Sequence, residues 1–437
     1  MFGRLRDAVR LSGPGLVWAA AAIGSGEVVI GTKVGAEHGY SFLWALWLGL
    51  LLKWAIHRGV LDLTVRSGRS VVDLWHDLRL GRLISCYWLV FFLLTITGLS
   101  GLLGLTAASL HEAFSVIGTS VWAVIVAAAV AAFIYFQRYQ GFEKIMLIMC
   151  LLLVIGVIGS VILARPAPLD LVRDSSLPTS VSAGLLLLSL MGWGAGSGPD
   201  LILPYSTWVL EKGRTDWEEH LPTTAPATST STTMLERTRQ APRILRIGRI
   251  DLASGYVVTG FVASGFMIAG GALLAPRHLT LTNADVIPTL STILTGSYGQ
   301  WAFVIFITGA IAAFLSTFAG VLDGTYVTGH RLVSRLRGVE AEVVADRGRT
   351  LPRALSLAVL SLIPLLLLLA VEQPVTLVII SGLVSAVSMP VLGTLVLYSL
   401  IRSTAEEHQP SRVYLGAIAV ATFLYLVLMV ISIVQLW

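Results

Sequence analysis

Gly24-Ser25-Gly26-Glu27 and Gly194-Ala195-Gly196-Ser197-Gly198-Pro199-Asp200 are the two stretches on which the reading of this chain turns. Each lies inside an apolar run longer than about 18 residues, enough to cross a bilayer. Glycine and proline weaken a helix at such points. The break frees backbone N–H and C=O groups at membrane depth, where lipid offers no partner. It therefore persists only where it is buried in protein or lines a cavity. Each break also carries one carboxylate, Glu27 in the first and Asp200 in the second. Ionisable groups inside a membrane are costly, and these two point to the handling of a cation, a proton or both.

The rest of the chain fits a polytopic membrane protein. Its 437 residues are 55% hydrophobic and only 13% charged, with a mean hydropathy of +0.82. A soluble domain carries roughly twice that charge. The net charge of +5 comes from basic residues dispersed among short loops, so no nucleic-acid partner is expected. Met1 to Arg10 is basic but no cleavage site follows, and no signal peptide is read there. Cys86 and Cys150 stand in separate apolar spans without a spacing motif and read as small buried hydrophobes.

Eleven spans are expected, at about 12–37, 40–57, 83–110, 119–137, 143–164, 178–210, 248–275, 297–330, 352–371, 375–401 and 413–436. With a cytoplasmic N-terminus, 26 of the 30 Lys and Arg residues fall in inner loops or at inner span ends, Lys53 among them. Only Arg165, Arg173 and Arg277 fall outside, with Lys33 near the outer end of the first span. That asymmetry sets the orientation and implies a multi-pass protein of the plasma (inner) membrane. The Thr- and Ser-rich stretch 215–241 cannot bury a core and is expected to be a disordered cytoplasmic loop. Residues 61–80 read as a short helix lying on the inner membrane face. The tryptophans at 18, 44, 47, 88, 122, 193, 208, 301 and 437 read mostly as interface anchors.

Spans one to five (about 12–164) and six to ten (about 178–401) divide into two halves, each opening on a broken span. Five spans per half force the second half to insert upside down. This is the inverted-repeat plan of LeuT-like transporters, and the paired breaks mark the substrate site. The expected fold is therefore all-α, a 5+5 LeuT-like repeat plus one extra helix at about 413–436, in a single domain over 1–437. A broken helix presents carbonyl oxygens at one end and N–H groups at the other. Carbonyls together with carboxylates suit hard cations such as Mg²⁺, Ca²⁺ or Mn²⁺.

At these residues the chain resembles the Nramp family of metal-ion transporters. Ala22-Ile23-Gly24-Ser25-Gly26-Glu27 with Gly35 and Gly39-Tyr40 lines up without gaps on that family's first span, where members carry D-P-G-N. Gly194 to Asp200 lines up on the sixth-span stretch ending M-P-H. Ser67-Gly68-Arg69 with Asp73, Gly141 with Glu143, Ile250-Asp251, Gly324-Thr325-Tyr326 and Pro390 also fall where the family has similar residues. The resemblance implies a metal site at both breaks. The family's Asp position is Gly24 here, its Asn position Glu27, its Met position Gly198 and its carbonyl position Ala195. The His after the family's Pro is Asp200. The soft thioether is gone, and two displaced carboxylates remain, so Glu27, Asp200 and the Ala195 carbonyl are the expected metal ligands. Small residues at Gly24, Gly196 and Gly198 are expected to leave extra room, for a partly hydrated Mg²⁺ or a small organic cation.

The family's third-span Asp and Glu fall at Gly98 and Gly101, its second sixth-span His at Tyr205 and its tenth-span Gln at Gly382. A relay needs titratable groups in sequence, so proton coupling is left open. Lys33 is expected to pair with Glu37. Asp251 reads as structural, Asp323 as buried near the inner end, and Ser316 and Thr317 as packing hydroxyls. No nucleophile–base pair, phosphate loop or cofactor motif is present, so neither an enzyme nor a cofactor is expected. The expectation is a monomeric carrier in the lipid bilayer whose substrate is a divalent metal, or alternatively a small organic cation or other metabolite.

Overall fold

A computed structural model of the chain describes residues 13–24, 26–137, 141–148, 180–218, 230–277, 287–289, 291, 299–339, 350–403 and 410–434. The described residues are almost entirely helical. Pro14 opens α1 (Pro14–Ala22) at a position where its missing N–H costs nothing. A bend of 46° at the first glycine break leads into α2 (Gly26–His38), which begins with a wide π-type turn over Gly26–Ile30. There follow α3 (Leu43–Ser67) and the short α4 (Val71–His76). The chain then runs through α5 (Gly81–Phe114) and α6 (Thr119–Phe136).

The second half opens in the same way. Helix α7 (Val181–Ser189) widens into a π-type turn over Leu190–Gly194, is interrupted at 195–198, and resumes as α8 (Pro199–Glu218). Then come α9 (Thr230–Leu273), α10 (Gln300–Leu336), α11 (Leu351–Val371), α12 (Pro374–Ser403) and α13 (Arg412–Val434). Wide turns of this kind are rare and concentrate at functional sites. Here both sit on the glycine breaks, one in each half.

Eight described helices are long and apolar enough to cross a membrane, nine when α1 and α2 count as one bent span. Helix α3 is long enough as well, but carries Lys53, His57, Arg58, Asp62 and Arg66. The expected fifth span, 143–164, lies largely outside the described residues.

The two broken spans cross at glycines. A Cβ on Gly26 would stand 2.7 Å from the Trp193 carbonyl oxygen, and one on Gly194 would stand 3.1 Å from that of Gly26. Helix α9 packs along α1 and α2 with equal closeness. A Cβ on Gly15 would meet the Asp251 backbone at 2.6 Å, and the Gly15 N–H donates to Asp251 Oδ2 at 2.6 Å. Small residues at helix crossings are how membrane helices approach closely without a hydrophobic drive. Asp251, read as structural, thus anchors the start of the first span.

Several expectations need correcting. Residues 61–67 do not lie on the membrane face: α3 runs on to Ser67, where Gly68 at φ 66 ends it. Helix α4 then turns inward, with Val71 and Trp75 fully buried. Within 215–241, residues 215–218 and 230–241 are helical continuations of α8 and α9, because a helix once formed propagates cheaply; 219–229 lie outside the described residues. Trp18, Trp88, Trp193 and Trp208 are core residues rather than interface anchors, although Trp47 and Trp301 are exposed. Cys86 is exposed on the apolar outer surface rather than buried, and Cys150 lies outside the described residues. Lys33 does pair with Glu37.

Charge ties α3 to α9 and α4 to α10. Asp62 takes two hydrogen bonds from Arg249, at 2.6 and 3.0 Å. Asp73 accepts from Arg331 at 2.9 Å and from Arg335 at 3.1 Å. Asp77 pairs with Arg69 and Arg335. Removing one partner of a buried pair leaves an uncompensated charge. Asp73→Ala takes this carboxylate from Arg331, which is 2% exposed on its side chain. It should cost about 3 kcal/mol or more of stability, read as a lowered melting temperature of the detergent-solubilised protein.

Candidate cation site at the paired breaks

The breaks leave specific backbone groups without helical partners, and each is met by a named side chain. Glu27, the second residue of α2, folds back so that Oε2 accepts from the Gly24 N–H at 2.9 Å. Its Oε1 reaches across and accepts from the Gly196 N–H at 2.9 Å. One carboxylate therefore bridges both breaks. Asp200, the second residue of α8, accepts from the Gly198 N–H at 2.9 Å. Its other oxygen accepts from Trp193 Nε1 at 2.9 Å, and Ser385 of α12 donates to Oδ1 at 3.4 Å. Acids at the start of a half-helix are favoured by its dipole.

The carbonyls of the sixth-span break are claimed by a residue that the sequence reading had placed at an inner span end. Lys53 lies in the middle of α3, fully buried. Its Nζ donates to the carbonyl oxygens of Gly192 at 2.8 Å, Ala195 at 3.0 Å and Gly196 at 2.7 Å. An ammonium has three N–H donors and no acceptor, so this one is saturated. Glu27 and Asp200 both act on it electrostatically. Tyr425 of α13 satisfies a fourth carbonyl, that of Met191, at 3.2 Å.

Of the expected site residues, the Ala195 carbonyl accepts directly from the Lys53 ammonium, while Glu27 and Asp200 hold the neighbouring N–H groups of the breaks and act on that ammonium through space. Among the described residues, no three His, Cys, Asp or Glu side chains gather as a metal site, so a metal here would depend on main-chain oxygens. Gly24 and Gly198 serve differently from expectation. They do not leave room: a methyl at Gly24 would collide with Thr317, and one at Gly198 would stand 2.6 Å from Ser385 Cβ. Gly196 has φ 68, a backbone conformation that favours glycine.

Gly98, Gly101 and Gly382, which the resemblance sets against polar positions, also have neighbours in the space a side chain would take. The ring of Trp193 lies against Gly98, and Pro374 and Val378 of α12 lie against Gly101; Ser189 lies against Gly382. An acid at Gly98 would displace the tryptophan that holds Asp200. Below Lys53 on the same helix, His57 meets Tyr205 edge-on, with ring centroids 4.3 Å apart. Its Nδ1 lies 3.2 Å from the Tyr256 hydroxyl. Ser316 donates to the Ala20 carbonyl at 2.8 Å, as a packing hydroxyl does. Asp323 is buried and accepts from Trp208 Nε1 at 3.0 Å.

The fold is that of the LeuT-like class, with two broken spans meeting at a buried polar centre. The model of the natural resistance-associated macrophage protein-like family matches residues 15–435, and the chain belongs to the Nramp family. None of the curated proteins matches. Among solved structures, a manganese transporter of Eremococcus coleocola, in complex with an aromatic bis-isothiourea substituted compound, superposes with a TM-score of 0.73 at 15% identity. The match covers 99% of this chain and 87% of that one. MhsT in complex with L-phenylalanine matches with a TM-score of 0.56 at 14% identity, over 97% of this chain and 98% of that one. Mhp1, a nucleobase-cation-symport-1 family transporter, matches in a closed conformation with a TM-score of 0.54 at 14% identity, over 97% and 89%.

Trp193→Phe removes the donor to Asp200 and draws the distal ring edge away from Gly98. It should cost about 1–3 kcal/mol more than Trp88→Phe, whose buried indole N–H has no hydrogen-bond partner among the described residues, since a buried charged acceptor loses a partner; the two thermal shifts measure the difference.

Proposed function

We propose that this chain is a secondary transporter that moves a divalent cation, hard in the manner of Mg²⁺ or Mn²⁺, across the membrane by alternating access. The observation that carries the proposal is the oxygen cage itself. Three buried carbonyls converge on a single positive charge, and two buried carboxylates act on it electrostatically. Such a set suits a hard cation and lacks the sulfur ligand that favours softer metals. Glu27, Asp200 and the Ala195 carbonyl are the proposed ligands, with Gly24 and Gly198 shaping the two backbones. Thr317 offers a further oxygen: it packs against Gly24, and its Oγ1 is buried with no hydrogen-bond partner among the described residues. The solved manganese transporter of like fold and the family membership favour a metal substrate.

Repeats 12–164 and 178–401 would be the two halves that move, within a single domain. We place the protein in the plasma (inner) membrane with its N-terminus cytoplasmic, as the arginine asymmetry requires, and read it as a monomer. A proton path through the third span is not part of the proposal, because Gly98 and Gly101 carry no titratable group. One observation favours a second reading. The cage already holds a primary ammonium, so a small organic amine is the alternative substrate.

Uptake into proteoliposomes separates these readings. Mg²⁺, Mn²⁺ or Ca²⁺ should accumulate down an imposed gradient, and Glu27→Gln should lower the rate by about tenfold or more. No metal flux in a folded preparation, with flux of a small primary amine, would replace the first reading by the second.

A further inference from the structure

We propose that Lys53 is the resident cation of this site: its ammonium fills the oxygen cage when no substrate is present and must leave it before a transported cation enters. The inference rests on the reading of the cage as the substrate site, and it assigns a competing occupant to that site.

The first ground is cost. A lysine in the middle of a span, with no exposure, is expensive unless its charge is compensated. Here every N–H of the ammonium has a partner. Each of the three N–H groups meets a carbonyl at 2.7–3.0 Å, and two carboxylates lie close enough to act on the charge. The second ground is identity of position. The oxygens that Lys53 takes are the ones the break of the sixth span releases, and the Ala195 carbonyl is among the proposed metal ligands. The third is size. Mg²⁺ needs oxygens at about 2.1 Å and Ca²⁺ at about 2.3–2.6 Å. An ammonium nitrogen at the centre of the same carbonyls excludes either ion, so the two occupants are mutually exclusive.

The arrangement also answers a physical problem of any carrier with this cage. Without a substrate or Lys53, three carbonyls at membrane depth would lose their hydrogen-bond partner, and two buried carboxylates would lose a compensating positive charge. A tethered ammonium keeps the site compensated while the carrier returns. The lysine side chain has four methylene groups and rotatable donors, so it can withdraw along α3 without breaking the chain's fold. A permanent structural staple between α3 and the sixth span is the competing explanation, and it makes a different prediction. Loss of a staple only weakens the fold, whereas loss of a resident cation opens the cage.

The test is direct metal binding to the full-length protein in detergent after chelator treatment, by equilibrium dialysis against Mn²⁺ with metal counted by mass spectrometry. Lys53→Met, which keeps length and removes charge, should bind one Mn²⁺ per chain at least about tenfold more tightly than the wild type. Lys53→Arg, which keeps a charge in the cage, should show no such gain. Adding Glu27→Gln to Lys53→Met should abolish it. A folded Lys53→Met protein with wild-type affinity overturns the proposal. Should Lys53→Met fold poorly, the melting temperatures of Lys53→Met and Lys53→Gln in Mn²⁺ decide the matter. Rescue by metal in the variants but not in the wild type supports a resident cation, and no rescue overturns it. The two readings fail separately. Gained binding with no wild-type flux of any metal would retire the transport reading and keep the cage; flux with no gained binding would retire the role of Lys53 and keep the transport reading.

Discussion

A backbone broken in the middle of a bilayer has to find partners for every N–H and C=O it releases, and this constraint organises the centre of the molecule. Glu27 takes one N–H from each break. Lys53 takes three carbonyls, Tyr425 a fourth, and Asp200 the N–H at the start of the resumed helix. Two acids and one base therefore do what water does at a surface helix end. The same groups favour a positive charge at the centre, because a helix's C-terminal carbonyls and two carboxylates share one sign.

The close approach of the spans follows from the same need. Glycines at the crossings let Glu27 and Lys53 reach across a short gap, and neighbouring side chains occupy the space that the glycines lack. Trp193 shows the logic most clearly. Its ring fits because residue 98 has no side chain, and its N–H then fixes Asp200. The polar positions that the family resemblance marks as missing are thus packing positions here. The site is compact rather than roomy.

Much of this was legible in the sequence. The glycine breaks and the acid in each are local patterns, and with the family resemblance they were enough for the fold. Lys53 was not read as part of the site, for a specific physical reason. The apolar run ends near residue 57, so a charge at 53 looks like the inner end of a span. Helix α3 instead continues ten residues further, to Ser67, and places Lys53 at depth. Lys53 and His57 were the available signal, since residues four apart along a helix share a side. Burial of Trp18 and Trp208 was likewise hidden, because amphipathic rings near span ends look the same whether they meet lipid headgroups or a partner such as Tyr256. Room at Gly24 could not be judged from the chain, since what fills it is Thr317, almost three hundred residues away.

The most direct check on the cage is the structure of the wild-type protein at saturating Mn²⁺, with the metal located by its anomalous scattering. The cage predicts a single peak between Glu27, Asp200 and the Ala195 carbonyl, with the Lys53 ammonium withdrawn from all three of its carbonyls. A metal bound elsewhere, with Lys53 still on Gly192, Ala195 and Gly196, would contradict it.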